Sequence, residues 1–151
     1  MATERTLILV KPDGVQRGLV GEVLARFERR GLQLIGLKML RMDDALANQH
    51  YAAHAGKGFF PGLKAFMTSS PLVAAAFEGP GAVQAARAAM GATNPLDAAT
   101  GTIRGDFAID LGRNVVHGSD SPEAGQREVA LFFQPRELWT WQRDVQRWLV
   151  E

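Results

Sequence analysis

The sequence predicts a domain of the α+β or α/β class without a long parallel series of strands. Short apolar runs typical of strands alternate with helical patterns, in the order strand, helix, strand, helices, strand, helix, strand, helix. The chain has 151 residues, of which 46% are hydrophobic, enough for the core of one domain. No internal repeat or linker is visible, so we expect residues 1–151 to form a single domain.

The N-terminal part predicts two strands with a helix between them. Residues 6–10 are a β-rich apolar run that ends at Lys11, and the Pro-Asp-Gly sequence that follows predicts a turn in which glycine takes a positive φ. Apolar residues at positions 20, 23, 24 and 27 form one helical stripe, which Gly31 ends as a C-terminal cap. Residues 32–40 predict the second strand.

The middle of the chain predicts helices on either side of a third strand. Residues 43–55 have an aspartate N-cap and indicate a helix, and residues 59–67 indicate a shorter one. Pro71 precedes the apolar run that predicts the third strand at 72–77. The alanine-rich residues 81–90 predict the next helix.

The C-terminal third begins with a long polar segment, residues 92–113, which is typical of a functional or disordered part of a compact domain. A short apolar strand follows and ends at His117. Ser121 as N-cap and Pro122 at the first helical position then predict another helix. The C-terminal segment from residue 135 holds all three tryptophans.

Composition narrows the classes of function. The formal net charge of +1 gives no general attraction to nucleic acid or to an anionic membrane, so neither is an expected partner. The absence of cysteine removes thiolate nucleophiles and cysteine metal sites. His50 and His54 lack a third ligand and predict no zinc site. The N-terminus lacks a signal-peptide pattern and no apolar run could span a bilayer, so we expect a cytoplasmic protein.

His117 is the first candidate for chemistry. Its imidazole is largely neutral at pH 7 and can act as a nucleophile or a base. It precedes a flexible turn that leads into a helix N-terminus, whose free N–H groups and dipole favour a nearby phosphate. Hydrogen bonding at the end of a strand is an equally good explanation from position alone.

Three isolated cations are candidates for binding phosphate: Lys11, Arg87 and Arg104 each lie among apolar or small neighbours. Arg87 on the solvated face of an alanine helix is the alternative. Phe59 and Phe60 allow stacking on a base, although core packing is the commoner use of such a pair. The chain contains no glycine-rich phosphate loop of a known kinase type, so phosphate binding would depend on dispersed residues.

Four segments resemble those of nucleoside diphosphate kinases. They are TLILVKPDGV at 6–15, GATNP at 91–95, GTIRGDF at 101–107 and NVVHGSDS at 114–121. They occur in the order and at the spacing of that family, and the resemblance covers essentially the whole chain. It implies an enzyme that transfers the γ-phosphoryl group of a nucleoside triphosphate, typically ATP, to a nucleoside diphosphate, in a ping-pong reaction through phosphohistidine at His117. Mg²⁺ would arrive with the nucleotide and need no dedicated protein ligands.

The resemblance also implies roles for the other residues. Glu128 and Ser119 would hold the His117 imidazole, with Tyr51 nearby. The implied nucleotide-binding residues are Arg87, Thr93 and Arg104 for the phosphates, Lys11 and Asn114 for the ribose, and Phe59 for the base, with Leu111 across from it. Stacking reads the face of a base rather than its edges, so we expect tolerance of different nucleotides.

The family fold is a ferredoxin-like sandwich with a four-stranded antiparallel sheet, helices on one face and added helical segments. The family forms homo-oligomers, and the extended C-terminus with Trp139, Trp141 and Trp148 favours a hexamer over a tetramer; core packing is the alternative explanation for these tryptophans. The sequence departs from the family at Lys57-Gly58, where Arg-Pro is common, which should loosen the loop before Phe59. A non-catalytic nucleotide-binding oligomer and a DNA-binding role are the competing hypotheses.

Overall fold

A computed structural model describes residues 2–151 and contains one four-stranded antiparallel sheet with the strand order β2-β3-β1-β4. The strands are β1 (Thr3–Val10), β2 (Gln33–Leu40), β3 (Leu72–Pro80) and β4 (Val116–Gly118). β1 is central: it pairs with β3 along its whole length and with β4 near its end. This order, with helices between β1 and β2 and between β3 and β4, confirms the ferredoxin-like sheet.

Helices cover both faces of the sheet. They are α1 (Pro12–Gln16), α2 (Val20–Arg30), α3 (Asp44–His50), α4 (Phe60–Met67), α5 (Ala82–Met90), α6 (Ile103–Phe107) and α7 (Pro122–Phe132). Alternate residues of β1 enter two separate cores: Ile8 packs with residues of α2 and α5, whereas Leu7 packs with residues of α3, α4 and α7. One face is therefore covered by α2 and α5, as expected for a ferredoxin-like sandwich, and the expected added helical segments cover the other.

Most helix ends follow the predicted signals. Gly31 ends α2 with a φ of 107°, the left-handed conformation that glycine tolerates best. The Asp43 side chain accepts the Leu46 N–H at the start of α3, and the Ser121 side chain accepts the Ala124 N–H at the start of α7. The helix predicted over 43–55 is shorter than expected, because α3 ends at residue 50 and a 3₁₀ turn follows.

The turn predicted after Lys11 is instead the short helix α1. Proline suits the first position of a helix as well as a turn, and Pro12 here begins the helix. Gly14 is helical rather than positive in φ. It is needed for space: a Cβ at this position would lie 2.8 Å from a Val10 methyl and 3.2 Å from the Val115 carbonyl oxygen.

The C-terminal segment lies along β2. The Trp139 N–H donates to the Ile35 carbonyl at 2.8 Å, where a bulge interrupts the pairing of β2 with β3. The Trp141 indole N–H donates to the Leu34 carbonyl at 3.1 Å. Trp139 and Trp148 are 70% and 76% exposed, so core packing does not explain them. Within residues 2–151, no helix is long and apolar enough to cross a membrane.

Candidate active site

One cleft of about 420 Å³ brings together most of the predicted site residues. They come from helices, a strand and connections that are distant in sequence. Those that line the cleft are Lys11, Tyr51, Arg87, Thr93, Arg104, Asn114, His117 and Glu128. Ser119 is fully buried behind them. The segment 92–113, predicted to be functional or disordered, forms a 3₁₀ turn and α6 and supplies two of these residues, Thr93 and Arg104.

His117 lies in the middle of β4 rather than at its end, and its side chain is held from α7. Its Nε2 atom lies 2.9 Å from Glu128 Oε1. The same carboxylate oxygen accepts the Ser119 hydroxyl at 2.8 Å, and Ser119 Oγ in turn accepts the Leu7 N–H from β1 at 3.0 Å. A continuous set of hydrogen bonds therefore fixes the imidazole to the central strand of the sheet.

Glu128 is suited to remain ionised beneath this imidazole. Burial opposes its ionisation, but the hydrogen bond from His117, the charge of that ring and the hydrogen bond from Ser119 together lower the pKa of the carboxyl. An ionised carboxylate can only accept, so in the neutral form of the ring the proton of His117 is on Nε2. The Nδ1 atom then keeps its lone pair and is the nitrogen available to a ligand in the cleft.

His50 also belongs to the site, although its sequence position suggested only a rejected zinc site. Its ring lies edge-on to His117, with 4.8 Å between the centroids. Burial, followed by the neighbouring charge of His117, lowers the His50 pKa to about 3, so this ring is neutral at physiological pH. Beside it, burial raises the pKa of Tyr51. His117 is thus the histidine whose nitrogen is both oriented by a carboxylate and accessible from the cleft.

Lys11 and Asn114 form a linked pair in the cleft. Lys11 Nζ donates to Asn114 Oδ1 at 2.7 Å, and Asn114 Nδ2 donates to the Thr93 carbonyl at 3.0 Å. Burial lowers the Lys11 pKa to about 8, although the charge of Asp13 partly opposes this shift. Lys11 is therefore charged at neutral pH and close to losing its proton in mild alkali.

The two arginines differ in how firmly they are held. Arg104 is buried and donates to three backbone carbonyls: Gly91 at 3.1 Å, Asn114 at 3.3 Å and Val116 at 2.6 Å. Burial, followed by the charge of Arg87, lowers its pKa to about 10, so it stays charged at pH 7. Arg87, on α5, is exposed. Both can present N–H groups to an anion.

Phe59 and Leu111 do not line the cleft; they are 54% and 56% exposed. The Phe59 ring lies 5.2 Å from the His54 ring, which does line it, so Phe59 is near the cleft mouth. Phe60 is buried, as the core interpretation requires. Further cleft residues were given no role from the sequence: His50, Ala53, His54, Leu63, Met90, Asp120 and Arg127. Of these, only Asp120 lies within one of the four segments that resemble the family, residues 114–121.

Comparison with known proteins agrees with this geometry. The family model described as nucleoside diphosphate kinase matches residues 4–138. A nucleoside diphosphate kinase of Gloeobacter violaceus is 60% identical over 98% of this chain and 99% of its own, and that of Pelotomaculum thermopropionicum is 58% identical with the same coverage. A solved halophilic nucleoside diphosphate kinase from Halobacterium salinarum in complex with CDP superimposes with a TM-score of 0.96 at 51% identity, covering 99% of this chain and 100% of that one. The chain belongs to the nucleoside diphosphate kinase family.

Proposed function

We propose that this protein transfers the γ-phosphoryl group of a nucleoside triphosphate to a nucleoside diphosphate, with His117 as the covalent carrier. The observation that carries the proposal is the His117 imidazole, whose Nε2 is held by Glu128 in a cleft with Lys11, Arg87 and Arg104. A fixed neutral imidazole supplies the nucleophile, and the cations offset the charge of the phosphates.

Each half-reaction exchanges one bond to phosphorus. The His117 Nδ1 lone pair forms a bond to the γ-phosphorus, and the bond from that phosphorus to the β–γ bridging oxygen breaks, releasing the nucleoside diphosphate. The phosphorylated ring becomes cationic, and Glu128 stabilises it through the Nε2–H. A terminal phosphate oxygen of a second diphosphate then attacks the same phosphorus, and the N–P bond breaks. Positioning and charge do most of the work in such transfers.

The remaining cleft residues suit the rest of a nucleotide. Arg87, Arg104 and the Thr93 hydroxyl would bind phosphate oxygens. Lys11 and Asn114 have polar atoms suited to the ribose and its 3′-hydroxyl. At the mouth, Phe59 would stack on the base, with Leu111 across from it, and a stacked ring accepts purines and pyrimidines alike.

Mg²⁺ fits this cleft as a companion of the nucleotide. The cleft offers cations for phosphate rather than a cluster of metal ligands, and among the described residues no group of three or more histidine or acidic side chains could hold a metal. Asp120 is a carboxylate of the lining with an exposed side chain, and oxygen is the ligand that Mg²⁺ prefers. The phosphates would hold the ion, with Asp120 beside it, and the ion would neutralise charge on the transferred group.

A two-nucleotide assay tests the function directly. Purified protein is mixed with ATP, Mg²⁺ and deoxythymidine diphosphate, and formation of deoxythymidine triphosphate is measured. Turnover with parallel double-reciprocal plots supports the ping-pong reaction. Nucleotide binding without turnover would instead establish the competing hypothesis of a non-catalytic nucleotide-binding oligomer.

We further infer that residues 1–151 act as one domain within a homo-oligomer, a hexamer rather than a tetramer. Two sets of exposed apolar residues support an assembly with two kinds of contact. One set lies on the exposed edge strand β2 and the C-terminal segment: Leu37, Met39, Trp139 and Trp141. The other lies between α5 and β4 in the sequence: Leu96 and Ile109. Light scattering after gel filtration distinguishes six copies from four.

Replacing Phe59 with alanine should weaken nucleotide use without harming the nucleophile. Phe59 is 54% exposed, so truncation removes a stacking surface and little core packing. Loss of base stacking is expected to raise KM for ATP about 10-fold, corresponding to ~1–1.5 kcal/mol. Phosphorylation of His117 by phosphoramidate, which has no base, should be unchanged. If both reactions fall together, Phe59 has a structural role instead.

The pH profile of kcat/KM should report Lys11. Burial lowers its pKa to about 8, so it is charged below that pH and neutral above it. Because the charged form would bind the nucleotide, kcat/KM should fall as pH rises through about 8, since this parameter follows ionisations of the free enzyme. Lys11→Arg should move the fall to higher pH. An alkaline limb that does not move in this variant would remove Lys11 from the assignment.

A further inference from the structure

Val115, between Asn114 and Val116, has a backbone conformation that valine rarely adopts. Its φ is 74°, the only positive value at a non-glycine position in residues 2–151. The Val116 N–H donates to the Asn114 carbonyl at 2.8 Å and closes a γ-turn around Val115. A positive φ is strained for a β-branched residue, so contacts from elsewhere in the fold must hold this turn.

Residues 11–14 provide those contacts. The Lys11 N–H donates to the Val115 carbonyl at 2.8 Å, and the Val115 N–H donates to Asp13 Oδ2 at 3.0 Å. Gly14 allows the close approach of the two segments. Asp13 Oδ1 is buried without a hydrogen-bond partner in the described chain, which is a costly arrangement for a carboxylate. Among the described residues, the Asp13 side chain thus makes one hydrogen bond, and its partner is the Val115 N–H in the turn.

The turn changes the direction in which two site residues point. Asn114 and His117 are three residues apart, and in a regular strand an odd separation puts side chains on opposite faces. Both nevertheless line the same cleft. The γ-turn at Val115 breaks the alternation between them. Without it, Asn114 would turn away from the face that carries His117.

We propose that Asp13 is a positioning residue: its carboxylate holds Val115 in the γ-turn, and the turn directs Asn114 into the cleft beside His117. Asp13 is not among the residues that line the cleft. It acts through Asn114 and through Lys11, the partner of Asn114. This proposal rests on the proposed function in one respect: the contact of Lys11 and Asn114 with the 3′-hydroxyl of a nucleotide is taken from it.

The test compares ATP with 3′-deoxy-ATP, which lacks that hydroxyl. In Asp13→Ala, kcat/KM for ATP should fall about 10- to 100-fold, the range that corresponds to backbone strain of this kind. The value for 3′-deoxy-ATP should fall less, so the ratio of the two shrinks. Asp43→Ala, which removes a comparable carboxylate acceptor from the start of α3, should leave the ratio unchanged. A partly unfolded protein would lose both activities equally, and an unchanged ratio in Asp13→Ala overturns the proposal.

Two more variants separate the hydrogen bond from charge and from strain. Asp13→Asn keeps an acceptor oxygen but no charge, so it should preserve most of the ratio of kcat/KM for ATP to kcat/KM for 3′-deoxy-ATP. If Asp13→Asn behaves like Asp13→Ala, only the charge beside Lys11 matters and the proposed hydrogen bond does not. In a Val115→Gly background the turn is no longer strained, so Asp13→Ala should change the ratio less.

A crystal structure of Asp13→Ala gives a readout that does not require turnover. The φ of Val115 should leave the positive region. If it stays near 74°, Asp13 does not hold the turn, whether or not the wild-type protein is a kinase. Absence of turnover in the wild type, in contrast, would contradict the proposed function and leave this structural outcome to decide the part played by Asp13.

Discussion

Replacing His117 with alanine is expected to abolish phosphoryl transfer, lowering kcat by at least about 10⁴-fold. The variant loses the only imidazole that Glu128 orients within residues 2–151. The measurement is incubation with γ-labelled ATP, followed by tests of the stability of the label. The wild-type chain should carry label that is lost in acid and kept in base, as a phosphorylated imidazole nitrogen requires, and His117→Ala should carry none.

The other two histidines are matched controls. His50 lies 4.8 Å from His117 between ring centroids, and His54 lines the same cleft, so both share its environment without the bond to Glu128. His50→Ala and His54→Ala should each still become labelled. Label that persists in His117→Ala, or disappears in His54→Ala alone, would contradict the assignment of the carrier.

Replacing Gly125 with alanine is expected to destabilise the fold strongly. Gly125 lies inside α7, where helix propensity alone would favour alanine. However, a Cβ at this position would collide with the Arg5 carbonyl oxygen of β1 and approach the Thr6 backbone. Backbone atoms cannot move aside as a flexible side chain can, so α7 must shift away from the sheet. The expected loss is about 3 kcal/mol in the free energy of unfolding, or ~6–12 °C in Tm.

Gly21 in α2 is the matched control for that variant. It is also a helical glycine, but a Cβ there would meet no atom within 4 Å. Gly21→Ala should therefore raise the free energy of unfolding by about 0.5 kcal/mol. Urea titrations of both variants give the comparison. Equal effects of the two substitutions would mean that α7 does not lie as close to β1 as the structure indicates.

Local signals in the sequence were sufficient for most of the fold. Gly31, Asp43 and Ser121 mark helix ends by their own side-chain or backbone chemistry, which needs no distant partner. The prediction of a turn after Lys11 was wrong because proline at position 12 suits a turn and the start of a helix equally well. Only packing against the rest of the fold decides between the two.

The site was less accessible to prediction because its contacts are long-range. Position alone left a nucleophile and an ordinary strand-end histidine as equally good explanations of His117, and the family resemblance supplied its role. What orients the ring is Glu128 eleven residues later, in contact with Ser119 and through it with β1. His50 was missed for the same reason, since its position beside His117 depends on how α3 packs on the sheet.

The bonding of Arg104 to three backbone carbonyls has a consequence for the entropy of ligand binding. Its side chain loses rotational freedom when the protein folds, whereas exposed Arg87 still has rotamers to lose when an anion binds. The two cations would thus contribute differently to the same complex. Arg104 is an immobile positive charge that is in place before the nucleotide arrives. Arg87 would close onto the nucleotide at an entropic cost of roughly 1 kcal/mol.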